Sequence, residues 1–347
     1  MTVVSVIVPC FNEQATIQLL LDALRQQTYP LADLEVVIAD GMSNDDTRQQ
    51  IAAYRSAHPE LAVTIIDNPD RHIPAGLNRA IRAAQGRYIV RLDAHSVPQA
   101  DYVANCIRLL EAGKGDNVGG VWDIQAQSRD GRQPGWIARS IAAAAAHPLG
   151  VGDAFYRLAS QAREVDTAPF GAFKRSLFDQ VGYFDETLLT NEDYELNTRI
   201  RQQGGKIWLD PAIRTVYFAR STLGALAHQY VRYGYWKGRM LARYPGSLRW
   251  RQALPPAFVL SLAGLSLLSF WFSLAGWLLM VQILLYLGIL LAGSVQTAKA
   301  KGDYALLPGI PLAIAVMHIC WGGSLLWSMA TLPWIKTKPS QKQPLKP

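Results

Sequence analysis

Cysteine is scarce in this chain. Three occur in 347 residues, Cys10, Cys106 and Cys320, and no two share a paired spacing. A disulfide framework and a cysteine zinc site are thereby excluded, which fits a reducing compartment. A basic leader is also missing. Met1-Thr2-Val3-Val4-Ser5 carries no charged side chain and runs straight into a strand-like segment, so no cleaved signal is expected. The net charge is +7, yet no basic arm suited to gripping nucleic acid stands out, and no nucleic-acid partner is expected. Much of the excess lies between Arg232 and Arg251, beside a stretch that lacks charge almost entirely, Leu254 to Val295. There is no internal repeat.

That uncharged stretch is about twice the ~20 residues needed to cross a bilayer, so a helical hairpin is expected there. The break Lys299-Ala300-Lys301-Gly302-Asp303 follows, and Leu306 to about Ile335 is long enough for a third crossing. Two crossings put Lys299 and Lys301 on the cytoplasmic side, as the positive-inside rule prefers. A third would carry Lys336, Lys338, Lys342 and Lys346 outside, against the rule, unless the last segment is re-entrant. Bases and aromatics alternate from His228 to Arg239, which suits a helix at the headgroup level with Arg232, Lys237 and Arg239 near lipid phosphates.

Upstream the composition is mixed. Val4 to Val8, Leu34 to Ala39, Val63 to Ile66 and Tyr88 to Leu92 are short runs rich in β-branched residues, the pattern of buried strands. Helical spacing falls between them: Asn12 is placed to cap a helix carrying Ile17, Leu20, Leu21 and Leu24, Asn44 or Asp45 to start a second, and Ala75 to Ala84 forms a third. Strands alternating with helices imply a parallel sheet wound with helices. Further on, Val118 to Trp122 and Ile213 to Phe218 read as strands, and Ala142 to Ala146 and Glu192 to Gln203 as helices.

Asp93-Ala94-His95 stands where the fourth strand leaves the sheet. Two ligand types one residue apart on extended chain share a side, and α/β sheets gather ligands at the carboxyl ends of their strands. Asp40-Gly41 ends an earlier strand and presents a carboxylate at a tight turn.

Val6-Ile7-Val8-Pro9-Cys10-Phe11-Asn12-Glu13, Ala39-Asp40-Gly41-Met42-Ser43-Asn44-Asp45-Asp46-Thr47 and Leu92-Asp93-Ala94-His95 together resemble the family 2 inverting glycosyltransferases. Phe170-Gly171-Ala172-Phe173, Val181-Gly182-Tyr183-Phe184-Asp185 and Asn191-Glu192-Asp193-Tyr194-Glu195-Leu196 continue the likeness, which covers most of residues 4 to 240. The Asp-Ala-His variant, the Val165 to Phe173 stretch and the apolar C-terminus are most similar to the succinoglycan-biosynthesis, ExoA-like branch. The resemblance implies an α/β GT-A nucleotide-sugar-binding fold, a mostly parallel sheet flanked by helices, followed by transmembrane helices. The implied organisation is a catalytic domain over 1–222, a basic and aromatic interfacial segment over 223–252, a transmembrane region of two to three helices over 253–335 and a basic tail over 336–347.

Roles follow from the same likeness. Asp40 would meet the uracil or ribose, with Pro9, Asn12 and Glu13 lining the pocket. Apart from the likeness, Arg71, Asn78 and Arg91 lie in the segment before Asp93, from which phosphate or ribose is within reach, and solvated surface is an equal reading of them. Asp93 and His95 would hold a divalent cation that offsets charge on the departing nucleoside diphosphate. Many relatives carry a second Asp at His95, and imidazole suits manganese better than magnesium, so Mn²⁺ is expected over Mg²⁺. Asp193 would be the general base, with Glu192 supporting it or the acceptor, and Gly171 and Phe173 would border the acceptor. A Q-x-x-R-W motif, which processive relatives carry near residues 228–239, is absent, so one sugar per encounter is expected.

The expected function is transfer of a sugar, glucose by resemblance, from a UDP-sugar to a polyprenyl-diphosphate-linked saccharide in exopolysaccharide or cell-surface glycan synthesis. The catalytic domain would be cytoplasmic and the chain multi-pass in the inner (plasma) membrane. Alternatives are a polyprenyl-phosphate sugar synthase and a non-catalytic nucleotide-sugar-binding subunit of a membrane synthase complex. A transporter is disfavoured, because the apolar region carries almost no ionisable residues.

Overall fold

The structure, a computed structural model, describes residues 2–126 and 133–332. The tail over 336–347 lies outside the described residues. Contacts divide the described residues into two units: one runs up to Asp123 and adds Ala159–Tyr217, and the other comprises Ile124–Leu158 and Phe218 to Leu332.

The first unit opens with four strands separated by helices: β1 (Val4–Cys10), α1 (Ile17–Arg25), β2 (Leu34–Asp40), α2 (Thr47–Ala57), β3 (Ala62–Asp67), α3 (Ile73–Ala83) and β4 (Tyr88–Arg91). Strands β1 and β4 and the intervening β2 are buried along nearly their whole length, as continuous β-branched runs require when helices cover both faces. They pair in parallel in the order β3-β2-β1-β4. Then come β5 (Ser96–Pro98), α4 (Tyr102–Glu111) and β6 (Asn117–Ala126).

After an excursion into the second unit, described below, the sheet is completed by β7 (Arg163–Glu164), β8 (Ala172–Lys174) and β9 (Ile207–Ala219). Strand β8 joins β4 antiparallel, and the order continues β8-β6-β9-β5, with β7 also on β9. The sheet is therefore mixed, parallel in its first half only. The strand expected over Ile213 to Phe218 is the later part of the longer β9.

Two expected helix starts move. Asn12 does not cap α1: Thr16 occupies that position, while Asn12 sits at φ +55 in the preceding loop, binding Asn44 N–H through Oδ1. Helix α2 starts at Thr47 rather than at Asn44 or Asp45, because the Asp45 carboxylate is engaged in accepting the Thr47 N–H and hydroxyl.

The second unit takes α5 (Trp136–Ala145), α6 (Pro148–Val151) and α7 (Phe155–Leu158), inserted between β6 and β7. Helices α8 (Leu177–Val181) and α9 (Glu192–Gln202) belong to the first unit, and α10 (Leu223–Arg243), α11 (Trp250–Leu268), α12 (Ser273–Lys301) and α13 (Leu306–Thr331) to the second. The run Ala142 to Ala145 lies in α5 and is buried, with Ala142, Ala143 and Ala144 in a cluster with Leu290, Ala298, Ile310 and Met317. Short side chains there let α5 approach α13 closely: a Cβ on Gly309 would stand 2.0 Å from Ser140 Oγ.

Helices α11, α12 and α13 are each long and apolar enough to cross a membrane. The first two form the expected hairpin, joined through Ser269–Phe272, with Gln282 Nε2 donating to Ser261 Oγ at 2.7 Å. Gly302, at φ +64, ends α12 after the basic residues Lys299 and Lys301, which complement the negative end of the helix dipole.

Helix α10 corrects one expectation. Lys237 and Arg239 are buried at 2% and 7% exposure rather than presented to headgroups. Lys237 Nζ binds Ser247 O at 3.0 Å, and Arg239 Nη2 binds Tyr235 Oη and Thr331 Oγ1. The reason is the face α10 gives to α13: Gly234 and Gly238 pack so tightly against Trp321, Ser324 and Ser328 that nearby side chains are enclosed.

Candidate active site

The carboxyl ends of the parallel strands coincide. Register pairs Cys10 with Asp40, Asp40 with Asp67, and Ile7 with Arg91, so the loops after β1, β2, β3 and β4 open along one edge at the point where strand order reverses. The first two loops are laced together. Asn12 N–H donates to Ser43 Oγ at 2.9 Å, Glu13 N–H to Thr47 Oγ1 at 2.8 Å and Asp46 N–H to Gln14 Oε1 at 3.0 Å. Cys10 beneath them is no nucleophile: burial, then the charges of Glu13, Asp40 and Asp45, push its thiol well up.

Asp40 is wholly buried. Its Oδ1 accepts from Ser43 Oγ at 2.5 Å, and its Oδ2 accepts from Ser43 N–H at 3.0 Å and from Arg48 Nε at 2.5 Å. It therefore shapes the turn after β2, and its bonds are spent within the protein. The exposed carboxylate of this corner is Asp67, joined to Arg48. Hydrogen bonds to Asp67 and Asp40 raise the guanidinium of Arg48 and keep it charged. Neither Arg48 nor Asp67 was among the expected site residues. Asp67 ends Thr64-Ile65-Ile66 just as Asp40 ends Val37-Ile38-Ala39, and that repeated pattern was the available signal.

Pro9 and Glu13 lie at this edge, half-buried, and Asn12 is exposed there. Arg71 is exposed at φ +58 in the turn before α3. Asn78 is placed elsewhere. It is buried, with Nδ2 donating to Phe184 O and Glu186 Oε1 and Oδ1 accepting from Phe184 N–H, so it pins the 184–186 turn. Phe173 is likewise a core side chain, 1% exposed against Phe178. Gly171 has no room for a side chain: a Cβ would stand 2.3 Å from Asn117 Oδ1 and 2.5 Å from the Phe173 ring.

Asp93 and His95 follow β4, both partly exposed. His95 Nδ1 lies 3.0 Å from Glu13 Oε1, a pair in which the imidazole donates to the carboxylate. Such a carboxylate-held imidazole is the arrangement that orients metal-binding histidines. Among the described residues no three His, Cys, Asp or Glu side chains gather as a cage. Asp93 and His95 therefore fit a cation that takes its other ligands from phosphate oxygens and water, as nucleotide-bound Mg²⁺ and Mn²⁺ do.

Asp193 is the second residue of α9, beside Glu192, where the helix dipole favours carboxylates. Asn191 before it holds φ +69. The buried Arg91 guanidinium joins this helix start to β4. Its Nη1 binds Asp193, and its Nη2 binds Glu192 Oε1 at 2.9 Å and Asp93 Oδ1 at 3.2 Å. Burial alone would lower Arg91, but Asp193, Asp93 and Glu192 raise it overall, so it stays charged. Burial pushes the Asp193 carboxyl up to about 7, against the pull of Arg91 and with Glu192 and Asp93 adding to the rise. The Phe170 N–H, from a residue at φ +64, also bonds the Asp193 carboxylate.

The mixed sheet, with its parallel half flanked by helices and its loops opening along one edge, has the GT-A class of fold. A mannosyltransferase from Pyrobaculum calidifontis, solved in complex with GDP-Man and Mn²⁺, shares the fold at TM-score 0.63 and 23% identity, over 91% of this chain and 86% of that one. The family model for glycosyl transferase family 2 matches residues 5–182. Succinoglycan biosynthesis protein ExoA of Rhizobium meliloti (strain 1021) is 30% identical over 319 residues, 91% of this chain and 92% of that protein. A Methanococcus voltae enzyme is 27% identical over 256 residues, 72% of this chain and 77% of that one. It is named dolichyl N-acetyl-alpha-D-glucosaminyl phosphate 3-beta-D-2,3-diacetamido-2,3-dideoxy-beta-D-glucuronosyltransferase. The chain belongs to glycosyltransferase family 2.

Proposed function

We infer that this glycosyltransferase is membrane-anchored and inverting, and that it moves a sugar, glucose in the first instance, from a UDP-sugar to a polyprenyl-diphosphate-linked saccharide. Its place would be exopolysaccharide or cell-surface glycan synthesis, with the catalytic unit on the cytoplasmic side of the inner membrane. One observation carries the reading: Asp193 is a carboxylate pushed up to about 7, at the start of a helix and tied through Arg91 to the Asp-x-His strand end. A group with that affinity for protons can take one from a hydroxyl at neutral pH.

In this mechanism Asp193 accepts the acceptor hydroxyl's proton as the oxygen attacks the anomeric carbon and the bond to the diphosphate breaks on the opposite face. One displacement inverts the centre, and no enzyme nucleophile is needed. Glu192 supports Asp193. Asp93 and His95 would hold a divalent cation, which supplies charge neutralisation for the leaving diphosphate. The loops carrying Pro9, Asn12, Glu13 and Asp40 shape the nucleotide pocket, with Asp67 and Arg48 at its edge and Arg71 in the nearby turn.

The Methanococcus voltae relative, named for a sugar carried on dolichyl phosphate, supports a lipid-linked acceptor, and the ExoA relative, named for succinoglycan biosynthesis, supports a place in exopolysaccharide synthesis. The test incubates membranes containing the full chain with radiolabelled UDP-sugars, Mn²⁺ and endogenous lipid acceptors, with GDP-mannose as a further donor and Asp193→Asn as control. Label entering the lipid extract from one UDP-sugar, and lost in the variant, is the expected result. Release of the label by mild acid as a free monosaccharide, rather than within an oligosaccharide, would favour direct transfer to polyprenyl phosphate. Donor binding without transfer would favour the non-catalytic subunit.

A further inference from the structure

Arg91 is too buried to be a ligand for substrate phosphate. At 2% exposure, its guanidinium is enclosed between the rings of Phe170 and Phe184, each centroid 5.9 Å away. What it touches instead are three carboxylates from two distant segments: Asp93 two residues on, and Glu192 and Asp193 at the start of α9. We propose that Arg91 is a positioning residue, whose planar fork fixes Asp193 relative to Asp93 so that the proton acceptor and the donor-side carboxylate keep one geometry through turnover. This deepens the reading above and rests on Asp193 being the base.

The shape of the site favours a fork over a mere positive charge. Two guanidinium nitrogens are divided between three acceptors in different directions, and a lysine ammonium cannot reach them all from one point. Backbone geometry supports the same end. Phe170 is held at φ +64, a costly conformation for an aromatic residue, and this turn both brings its N–H to Asp193 and lays its ring on Arg91. The Arg91 N–H is in turn bound to Gly171 O at 3.0 Å, so strand β4 and the 170–171 turn are fastened at the same place.

The experiment compares Arg91→Lys and Glu192→Gln with wild type, as full-length protein in detergent, by thermal midpoint, by binding of UDP with Mn²⁺, and by kcat and KM for the donor found above. A positioning role predicts that Arg91→Lys lowers kcat about 100-fold while UDP binding and donor KM stay within about threefold. Glu192→Gln, nearly isosteric and cutting a single arm of the clamp, should lower kcat about tenfold with binding unchanged. It decides the matter if Arg91→Lys fails to fold. An Arg91→Lys enzyme within about threefold of wild-type kcat would overturn the proposal, since charge alone would then suffice. Loss of UDP binding in step with kcat would overturn it too, by making Arg91 part of the nucleotide pocket. Turnover surviving in Asp193→Asn would remove the base itself, and with it the premise; this is distinguishable because Arg91→Lys is judged on binding as well as rate.

Discussion

A carboxylate can take a proton only after giving up its own. As the proposed base, Asp193, raised by burial to about 7, would act in its deprotonated form above neutrality and lose that form below it. The sign is therefore fixed: kcat should fall as pH drops from about 7 toward 6, approaching tenfold per unit below the pKa, and level off above about 8. Asp193→Asn should abolish that limb and lower kcat by about 10³-fold, within the range for loss of a general base. A pH–rate profile on both proteins checks it. His95 carries a second prediction at this scale. Imidazole discriminates against magnesium, so wild type should work better with Mn²⁺, and His95→Asp should narrow the gap or reverse it. Parallel titrations of the two ions would show this, and equal wild-type activity throughout both would sink it.

At the scale of elements, the pairing of α10 with α13 rests on close approach. A Cβ on Gly234 would stand 2.2 Å from Trp321 O, and one on Gly238 2.6 Å from Ser328 Cβ. Gly238→Leu should force the helices apart at a cost of about 1–3 kcal/mol, the usual penalty of overpacking. The thermal midpoint in detergent should fall accordingly, while UDP binding by the other unit persists. Elements were also where the sequence was most readable. The four parallel strands announce themselves as continuous β-branched runs, and Asp93 and His95 reveal each other because only Ala94 separates them.

What stayed hidden depends on distant partners. Arg91 meets Asp193 across 102 residues of sequence, and nothing local to Arg91 names that carboxylate. Asn78 was expected at the nucleotide, but its partners, Phe184 and Glu186, lie over 100 positions away. The turn after Asp40 suggests a carboxylate open to ligand, but the charge that covers it, Arg48, comes from the next helix. The sequence of α10 suggests that Lys237 and Arg239 face headgroups, because nothing local to that helix says which face α13 occupies. The left-handed residues Asn12, Met42, Arg71, Phe170 and Asn191 carry no glycine signature, yet all lie in the loops and turns around the strand ends and the start of α9.

For the molecule as a whole, scarce cysteine becomes a practical asset. Cys10 and Cys106 are buried, so replacing Cys320 with serine leaves a quiet background for single reporters. The tip of the hairpin, Phe270-Trp271-Phe272, is exposed and aromatic, the composition that settles at a membrane–water interface. The 19 residues of α11 rise about 28 Å, close to the thickness of a hydrocarbon core. Cysteines at Phe270 and at Lys299 should therefore react with an impermeant maleimide from opposite faces of sealed vesicles. Labelling of both from one face would mean that the hairpin does not cross.

The seam between β4 and β8 carries a consequence for how such enzymes diversify. The loops proposed to shape the nucleotide pocket all hang from the parallel strands before it, whereas Phe170, Glu192 and Asp193 arrive with the antiparallel half after it. Recombination at this boundary would exchange donor choice without rewriting acceptor chemistry, provided that Arg91 and its carboxylates still match. A chimera joined before Arg91 inherits the clamp intact from one parent. Joined after it, the guanidinium of one ancestor must find the carboxylates of another, and inheritance across that point is constrained by charge as much as by shape.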